Sequence, residues 1–250
     1  MSDDPLTTFV SRSLRAAVSD VRSEPLGRDD TSDRERIRYR KDGAEQTLIL
    51  KRVPPGDALE TQLLPFLVRK SEHAPRLLSR GVPPPAVPAW PWVLIEDVQD
   101  AASACERDAR EIVRAKVAIE RSVARDEPAL RALGVPSRTA GELVARLGEK
   151  ARRAATLLDD LPRVLCHGAL VCENARVAER GVVLLEWRRA HLGCGLLDVA
   201  RLASDIAARG DSDRGESVFA LYAELTGISL GDETVGAATL IDTLTRAPNK

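Results

Sequence analysis

The segment that decides the fold is residues 164–205, which reads VLCHGALVCENARVAERGVVLLEWRRAHLGCGLLDVARLASD. A short apolar run leads into His167, and Asn174 follows seven residues later. Two more apolar runs, joined by a Glu-Arg-Gly turn, predict a hairpin that ends at Glu186. Asp198 comes twelve residues after Glu186, at the head of an apolar helical pattern. Polar side chains that could take part in catalysis or metal binding are therefore spaced along a predicted strand, loop, hairpin and helix.

These residues and their spacings resemble the signature of the aminoglycoside phosphotransferase and choline kinase superfamily. The family pattern is a strand leading into HGDxxxxN, then a hairpin, then an apolar strand that ends in Asp-Trp, and finally a second Asp that opens a helix. Here His167, Gly168 and Asn174 match the loop, and Glu186-Trp187 matches the end of the hairpin. Asp198 matches the second Asp. Agreement in residue type and in three spacings makes chance a poor explanation.

The resemblance implies a fold class and a division of the chain. The class is α+β, a two-lobed protein-kinase-like fold with a small β-rich lobe and a mostly helical lobe. The expected N-terminal lobe covers residues 1–97. The expected C-terminal lobe covers residues 98–250 and contains the catalytic-loop region 164–205. The likeness runs from about Leu26 to Asp205 and is most specific in the catalytic-loop region.

The chemistry of phosphoryl transfer explains why such residues occur together. The reaction needs a carboxylate that orients the attacking hydroxyl and accepts its proton, two ligands that hold Mg²⁺ on the phosphates, and a lysine that positions them. By the resemblance, the base falls at Ala169 and the metal ligands at Asn174 and Glu186. Asp198 matches the family carboxylate that braces the catalytic loop, and His167 matches a structural histidine of the same loop.

A candidate lysine lies upstream, where the match is less specific. Residues 48–51, Leu-Ile-Leu-Lys, resemble the strand that carries the phosphate-positioning lysine, and Lys51 is one of only six lysines in the chain. Glu60, on the next predicted helix, is the candidate ion-pair partner of this lysine. Glu72 is the weaker choice because it lies beyond Pro65.

A candidate nucleotide site follows from the next apolar strand. Residues 93–98 resemble the hinge strand whose backbone meets adenine, which makes Glu96 and Val98 candidate nucleotide contacts. The resemblance therefore implies ATP and Mg²⁺ as cofactors. We expect Lys51, Asn174 and Glu186 to converge on one cleft between the lobes.

The sequence departs from the family pattern at the reaction centre. Ala169 replaces the catalytic Asp, and a methyl group cannot accept a proton. Losing a positioned base costs about 10²- to 10⁴-fold in rate. Glu186 replaces the metal-binding Asp, and its extra methylene displaces a carboxylate whose Mg²⁺ ion tolerates little distortion. Arg188 and Arg189 follow where acidic residues are common in the family.

The stretch that should cradle phosphates is also unfavourable. Gly27 is its only glycine between residues 23 and 41, although backbone amides approach phosphate best through glycine. Four carboxylates crowd the stretch: Asp29, Asp30, Asp33 and Glu35. These features predict weak nucleotide binding.

Hydrophobic patterning predicts the remaining elements. A first helix is expected from Pro5 to about Val21, and Asp-Gly at 42–43 predicts a hairpin between strands over 36–40 and 46–52. Residues 81–92 form a Pro-rich loop. Further helices are expected from near Asp57, over 109–124 and 139–161, and from about Leu196, Asp213 and Asp232.

Composition limits the partners and the compartment. The chain has 250 residues and a net charge of −1, so no basic excess indicates binding to nucleic acid or to an anionic membrane. No apolar run approaches the roughly 20 residues that span a bilayer. The four cysteines are Cys105, Cys166, Cys172 and Cys194, and without CxxC spacing or a secretory leader they are expected to be reduced thiols in the cytoplasm.

Three functions are compatible with these observations. The first is a pseudokinase that binds a small-molecule ligand or a protein partner and transfers phosphate poorly or not at all. The second is an active ATP-dependent small-molecule phosphotransferase that uses Lys51, Asn174 and Glu186 despite Ala169. The third is an unrelated helical scaffold. Aminoglycosides are not expected as substrates, because arginines replace acidic residues beside the loop.

Overall fold

The computed structural model describes residues 4–29, 32–54, 58–81, 90–98, 102–145 and 148–246. Asp30, Asp57 and residues 82–89 of the Pro-rich loop lie outside the described residues. The described part is α+β: a five-stranded sheet precedes a mostly helical part that contains two short two-stranded sheets.

The N-terminal sheet is antiparallel throughout, and its first three strands lie side by side in chain order, followed by the fifth and then the fourth. Asp42 and Gly43 join its second and third strands, both at positive φ (51° and 79°), as a tight hairpin turn requires. The register places Arg34 opposite Lys51. The strands are β1 (Ser19–Asp29), β2 (Ser32–Lys41), β3 (Ala44–Arg52), β4 (Leu77–Gly81) and β5 (Trp92–Glu96).

The first helix is shorter than the sequence pattern predicts. Helix α1 spans Pro5–Leu14, and the Asp4 carboxylate caps it by accepting the amides of its first turn. The expectation that the helix continues to Val21 is wrong, because the chain leaves the helix at Arg15 (φ 52°) and β1 begins at Ser19. Val18 and Val21 still pack on the apolar cluster beneath the sheet. Because both valines stay partly buried, pairing with β2 can replace the helix without loss of burial.

Helix α2, Leu59–Leu67, contains Pro65 without ending there. A proline removes the hydrogen bond to the carbonyl four residues earlier. That carbonyl belongs to Thr61, and it accepts a hydrogen bond from the Arg80 guanidinium on β4 at 3.3 Å. A side chain from the sheet thus satisfies the group that the proline leaves unpaired, and Glu60 stays in the first turn of a continuous helix.

The helical part confirms the predicted helix starts near residues 196, 213 and 232, but it divides the long helix expected over 139–161. Thr139 and Glu142 form the predicted capping box, yet the helix they begin ends at Leu143. Asp159, at the end of the following helix, accepts the amides of Ala140 and Gly141 at 2.6 and 3.1 Å and pins the two segments together. The helices are α3 (Ala104–Val123), α4 (Glu127–Ala132), α5 (Ala140–Leu143), α6 (Glu149–Asp159), α7 (Leu196–Ala208), α8 (Ser212–Thr226) and α9 (Asp232–Arg246).

Two small sheets position the signature residues. The hairpin predicted over 175–185 is present as β7 (Ala175–Ala178) and β8 (Gly181–Leu184). A second antiparallel pair joins β6 (Arg163–Cys166) to β9 (His191–Cys194), a strand that the sequence analysis does not predict. Because both pairs end at the same loop, residues from 167 to 191 are brought together.

The cysteines correct one expectation. Cys105 on α3 and Cys172 in the catalytic loop form a disulfide that closes 67 residues of chain. Cys166 and Cys194 are free and buried. The prediction that all four are reduced thiols is therefore wrong for one pair, because α3 and the loop, distant in sequence, meet in the fold.

Within the described residues, no helix is both long and apolar enough to cross a membrane.

Candidate functional site

His167 braces the catalytic loop from inside. Its imidazole is buried: Nε2 lies 2.6 Å from the Leu185 carbonyl, and Nδ1 lies 3.3 Å from the Ala169 amide. The Ala169 N–H can only donate, so Nδ1 is the accepting nitrogen and Nε2 carries the hydrogen that it donates to Leu185. Burial lowers the pKa of His167, which keeps this neutral tautomer. His167 therefore links the loop to the end of the hairpin.

Asp198 holds the same loop by its backbone. Its two carboxylate oxygens accept the amides of His167 at 2.6 Å and of Gly168 at 2.9 Å. Gly168 has a φ of 77°, and a Cβ there would lie 2.1 Å from the carbonyl oxygen of Arg189. Only glycine satisfies both conditions. This arrangement matches the bracing role that the resemblance implies for Asp198.

A buried charge cluster behind the loop is the feature that sequence reasoning missed. Lys116 on α3 is 2% exposed, pairs with Glu120 one turn later, and lies 3.7 Å from Asp198. Burial alone would lower the pKa of Lys116, but the carboxylates around it hold this pKa well above its ordinary value. The signal was a lysine inside the apolar face of α3, beside Ile112 and Ile119. A buried lysine at such a position requires carboxylate partners.

The base position lies on the loop beside Asn174. Ala169 is half-buried, and its carbonyl accepts a hydrogen bond from the Asn174 side-chain amide at 2.9 Å. The Asn174 carbonyl in turn accepts the Leu185 amide at 2.8 Å. Cys172, two residues earlier, is tied covalently to Cys105. Asn174 thus lies in the loop beside Ala169, and its amide nitrogen is bound to the loop.

Lys51 on β3 lies between the carboxylates of Glu60 on α2 and Glu186 after β8. Its Nζ is 2.5 Å from Glu60 and 2.8 Å from Glu186, and both Lys51 and Glu60 are 2% exposed. Glu60 also accepts the Trp187 amide at 3.1 Å. The structure therefore brings Lys51, Glu60 and Glu186 together, and it pairs Lys51 with Glu60 rather than with Glu72.

Glu186 is surrounded by cations. Besides Lys51, Arg34 lies 3.4 Å and Arg188 3.9 Å from its carboxylate. Burial raises the pKa of Glu186, but its ion pairs outweigh burial and hold this pKa below its ordinary value. Its backbone is left-handed (φ 66°), an uncommon conformation for glutamate.

This environment bears on whether Mg²⁺ fits. Asn174 and Glu186 offer the oxygen ligands that Mg²⁺ prefers. Among the described residues, however, no group of three or more His, Cys, Asp or Glu side chains is arranged to hold a metal ion. Because three cations already neutralise Glu186, the donor atoms fit Mg²⁺ and the charge balance does not. We therefore assign no chemical step to a metal here.

The expected hinge residues lie at a separate opening. Val98 and Glu96 line a cavity of about 590 Å³ together with Val177 and Ala178 of β7. The Glu96 carboxylate pairs with the guanidinium of Arg180 and accepts the Arg76 amide at 2.7 Å. The Glu96 side chain is thus engaged within the protein, and the cavity lies beside the backbone of residues 96–98.

The acidic stretch is less repulsive than its sequence suggests. Asp33 and Glu35 both pair with Arg52 on β3, and Glu35 also accepts a hydrogen bond from Ser23. Burial raises the pKa of Glu35, but the contacts with Ser23 and Arg52 lower it by more. The pKa of Glu35 therefore lies below its ordinary value. Arg34, between the two acids, points to Glu186. Asp30 and the Asp29 side chain are outside the described part.

Solved structures with the same architecture place this geometry among known folds. An aminoglycoside phosphotransferase from Streptomyces rimosus matches 98% of this chain and 99% of its own, with a TM-score of 0.58 and 22% identity. A spectinomycin phosphotransferase in complex with ADP and spectinomycin matches 98% of this chain and 87% of its own, with a TM-score of 0.64 and 8% identity. This is the aminoglycoside phosphotransferase fold.

The same fold extends to the choline kinase branch. A choline/ethanolamine kinase family protein from Mesorhizobium loti matches 96% of this chain and 82% of its own, with a TM-score of 0.57 and 18% identity. No protein-family model and no curated protein matches the sequence. The predicted two-lobed, kinase-like fold is confirmed, and at these identities the likeness describes the aminoglycoside phosphotransferase fold alone.

Proposed function

We propose that this chain is a pseudokinase, a protein of the aminoglycoside phosphotransferase fold that binds a ligand or partner and transfers phosphate poorly or not at all. The observation that carries the proposal is the state of Glu186. Lys51, Arg34 and Arg188 surround its carboxylate, next to a loop whose base position is Ala169. The residues that would handle Mg²⁺ and phosphate are used instead as counter-ions of one another.

Energetics support the proposal at the base position. A positioned general base contributes about 10²- to 10⁴-fold, or roughly 3–5 kcal/mol of barrier. The Ala169 methyl group contributes none of this. Glu173 is exposed and belongs to the short 3₁₀ turn before Asn174, so it does not occupy the Ala169 position. The loop retains its supports without its reactive carboxylate.

Nucleotide binding is the second part of the proposal. ADP is bound in the spectinomycin phosphotransferase, and AMP-PNP with Ca²⁺ in an amicoumacin kinase of similar fold. By analogy this chain would take ATP and Mg²⁺, but phosphates could reach Lys51 only by displacing Glu186 from a buried pair. We expect weak ATP binding with little Mg²⁺ enhancement. A clear thermal shift at low-micromolar ATP with Mg²⁺ would contradict it, since a ligand at 100 times its Kd adds about 2.7 kcal/mol.

ATP turnover across a panel of hydroxyl acceptors tests the catalytic claim. The set is wild type, Ala169→Asp, Glu186→Asp and the double variant, with Ala169→Asn as a control of the same size that lacks a base. We expect little turnover from wild type and from either single variant, and the largest gain from the double variant, because both sites act on one phosphoryl group. Robust wild-type turnover that Ala169→Asp leaves unchanged would sink the proposal.

An active phosphotransferase is the second candidate, and one contact favours it. Working kinases need an ion pair between the strand lysine and a glutamate of the next helix, and Lys51 and Glu60 form such a pair at 2.5 Å. The turnover series separates the two candidates.

In either case we propose that aminoglycosides are not substrates, because Arg188 and Arg189 flank the loop. Resistance conferred by expressing the chain would refute this.

We also propose a cytoplasmic location, which the disulfide puts to the test. Structural disulfides are rare in the cytoplasm, and Cys105 and Cys172 are bonded here. Alkylation and mass spectrometry of the protein from its native cells would decide: free thiols at both positions fit a cytoplasmic protein, and a complete disulfide contradicts it.

A further inference from the structure

A second cavity opens beside the catalytic loop. It has a volume of about 350 Å³ and reaches the loop at Gly168, one residue before the base position. β9, α7 and α9 contribute its other walls. Cavities that bind small molecules begin at about 300 Å³, so this one suits a single small metabolite. It is separate from the cavity beside Val98.

The walls of this cavity are basic. Four arginines line it, Arg138, Arg188, Arg189 and Arg201, against two carboxylates, those of Asp198 and Asp242. Four positive charges minus two negative charges leave an excess of two. Arg188 also pairs with Glu186 at 3.9 Å, and Arg201 pairs with Asp242 at 3.7 Å. Asp198 has Lys116 at 3.7 Å, so the positive charge left over in the walls lies at Arg138 and Arg189.

Two of these arginines have no acidic partner among the described residues. Within the described part of the chain, the side chains of Arg138 and Arg189 form no ion pair. The Arg138 backbone is nevertheless fixed, since its amide donates to the Leu192 carbonyl of β9 at 2.8 Å. Guanidinium groups bind phosphate through parallel N–H bonds. Backbone anchoring beside a rigid strand gives one such group a defined starting position.

His191 adds a buried polar group to the same wall. Its side chain lines the cavity and the residue is only 6% exposed. Nδ1 lies 3.1 Å from the Arg189 carbonyl, while Nε2 is buried and has no hydrogen-bond partner among the described residues. Buried polar groups nearly always find a partner. Nε2 lies just behind the cavity wall, so a small turn of the imidazole would bring it into reach of a bound anion.

We propose that this cavity binds the phosphate group of a small phosphorylated metabolite, with Arg138 and Arg189 as its charged contacts and His191 Nε2 as a buried hydrogen-bonding contact. This proposal names a class of ligand for the proposed pseudokinase. It rests on that proposed function only in taking this cavity as the ligand site. The class of ligand is opposite in charge to an aminoglycoside. Shape and charge both favour a dianionic group over a polycation.

Calorimetric titration of the full chain with inorganic phosphate and with pyrophosphate, without nucleotide or metal and at constant ionic strength, tests the site. Arg138→Ala/Arg189→Ala should weaken binding by about tenfold or more, because each removed charge-assisted hydrogen bond is worth that much. The control is Arg152→Ala/Arg153→Ala, which removes the same charge from the exposed face of α6. Equal loss in both double variants, or no phosphate binding by wild type, overturns the proposal.

His191 supplies a sharper pair of variants. Asparagine places its amide where Nδ1 lies and lacks the outer nitrogen, whereas glutamine reaches the Nε2 position. His191→Asn should lose phosphate affinity and His191→Gln should retain most of it, with folding of both checked by thermal unfolding. The reverse order, or acetate binding more tightly than phosphate, contradicts the proposal. None of these outcomes depends on ATP turnover, so the pseudokinase proposal stands or falls separately.

Discussion

Lys116 and Lys51 are both buried, and each faces two carboxylates, but the two lysines support different things. Lys116 lies under the catalytic loop and approaches Asp198, whose oxygens are both bound to loop amides. Lys51 lies on β3 and approaches Glu186, which also pairs with Arg34 and Arg188. One lysine stabilises backbone geometry, and the other neutralises a side chain.

The difference separates two groups of charges around the loop. The half around Lys116 shapes the loop itself and does not depend on the residue at position 169. The half around Lys51 is the one to which the sequence resemblance assigns phosphate and metal. Here it is a closed set of ion pairs, and we infer that it now contributes to stability.

The largest expected effect is that of Lys116→Met. It leaves Glu120 and Asp198 buried, both 5% exposed or less, without their cation. Removing one partner from a buried pair costs about 3–5 kcal/mol, and we expect the upper end because two carboxylates are affected. Urea unfolding measures the change. Lys150→Met, on the exposed start of α6, is the control and should change stability by less than about 0.5 kcal/mol.

Lys51→Met should destabilise the fold by about 3 kcal/mol, less than the first variant, because Glu186 is 17% exposed and keeps Arg34 and Arg188. Replacing both members of a buried pair by apolar residues is often neutral. Lys51→Met/Glu60→Leu should therefore recover much of the loss. If Lys51→Met leaves stability unchanged or raises it, Lys51 is not a structural counter-ion and the comparison fails.

Loss of the Cys105–Cys172 disulfide should cost about 2 kcal/mol. Disulfides typically contribute about 2–4 kcal/mol. We expect the lower end because Lys116, on the same helix as Cys105, still holds the loop through Asp198. Adding dithiothreitol should lower the melting temperature of wild type. Cys105→Ala/Cys172→Ala should start lower and not respond to the reductant. A wild-type protein that ignores dithiothreitol, while its thiols are shown to be free, would contradict the expectation.

The smallest effect concerns pH. The folded-state pKa of His167 lies below its unfolded value of about 6.5, so the unfolded chain binds more protons as the pH falls. Stability from this group is therefore complete above about pH 6.5 and declines below it, by at most about 1.4 kcal/mol per pH unit. His167→Gln keeps a donor for the Leu185 carbonyl but cannot titrate. Unfolding curves between about pH 5 and 7.5 should be less steeply pH-dependent in this variant; equal slopes would exclude a neutral buried imidazole.

Residues with a local signal were predictable from the sequence. His167, Asn174 and Asp198 lie on the predicted loop and helix because their spacing follows strand and hairpin lengths. Lys51 stood out on a short apolar strand. Residues that depend on contacts between distant segments were not found: Lys116 under the loop, the disulfide partner of Cys172, and the position of His191.

The prediction of secondary structure was wrong where one stretch of sequence fits both a helical and a strand pattern. Val18 and Val21 fit both a helix continuing from α1 and the strand β1, and pairing with β2 decided the outcome. The division between α5 and α6 depends on Asp159, a side chain whose contact with the amides of Ala140 and Gly141 exists only in the folded chain. Local propensity alone could not predict either result.

Position 169 has an unusual freedom. Asp198 and Gly168 fix the path of the loop through backbone atoms, and the one bond that Ala169 itself gives to His167 also comes from its backbone. The identity of the side chain there is thus separated from the geometry around it. Two of the four alanine codons, and both glutamate codons, lie one base away from an aspartate codon. The scaffold is therefore within short mutational reach of a complete set of carboxylates, which makes it a natural starting point for selecting kinase activity from a library.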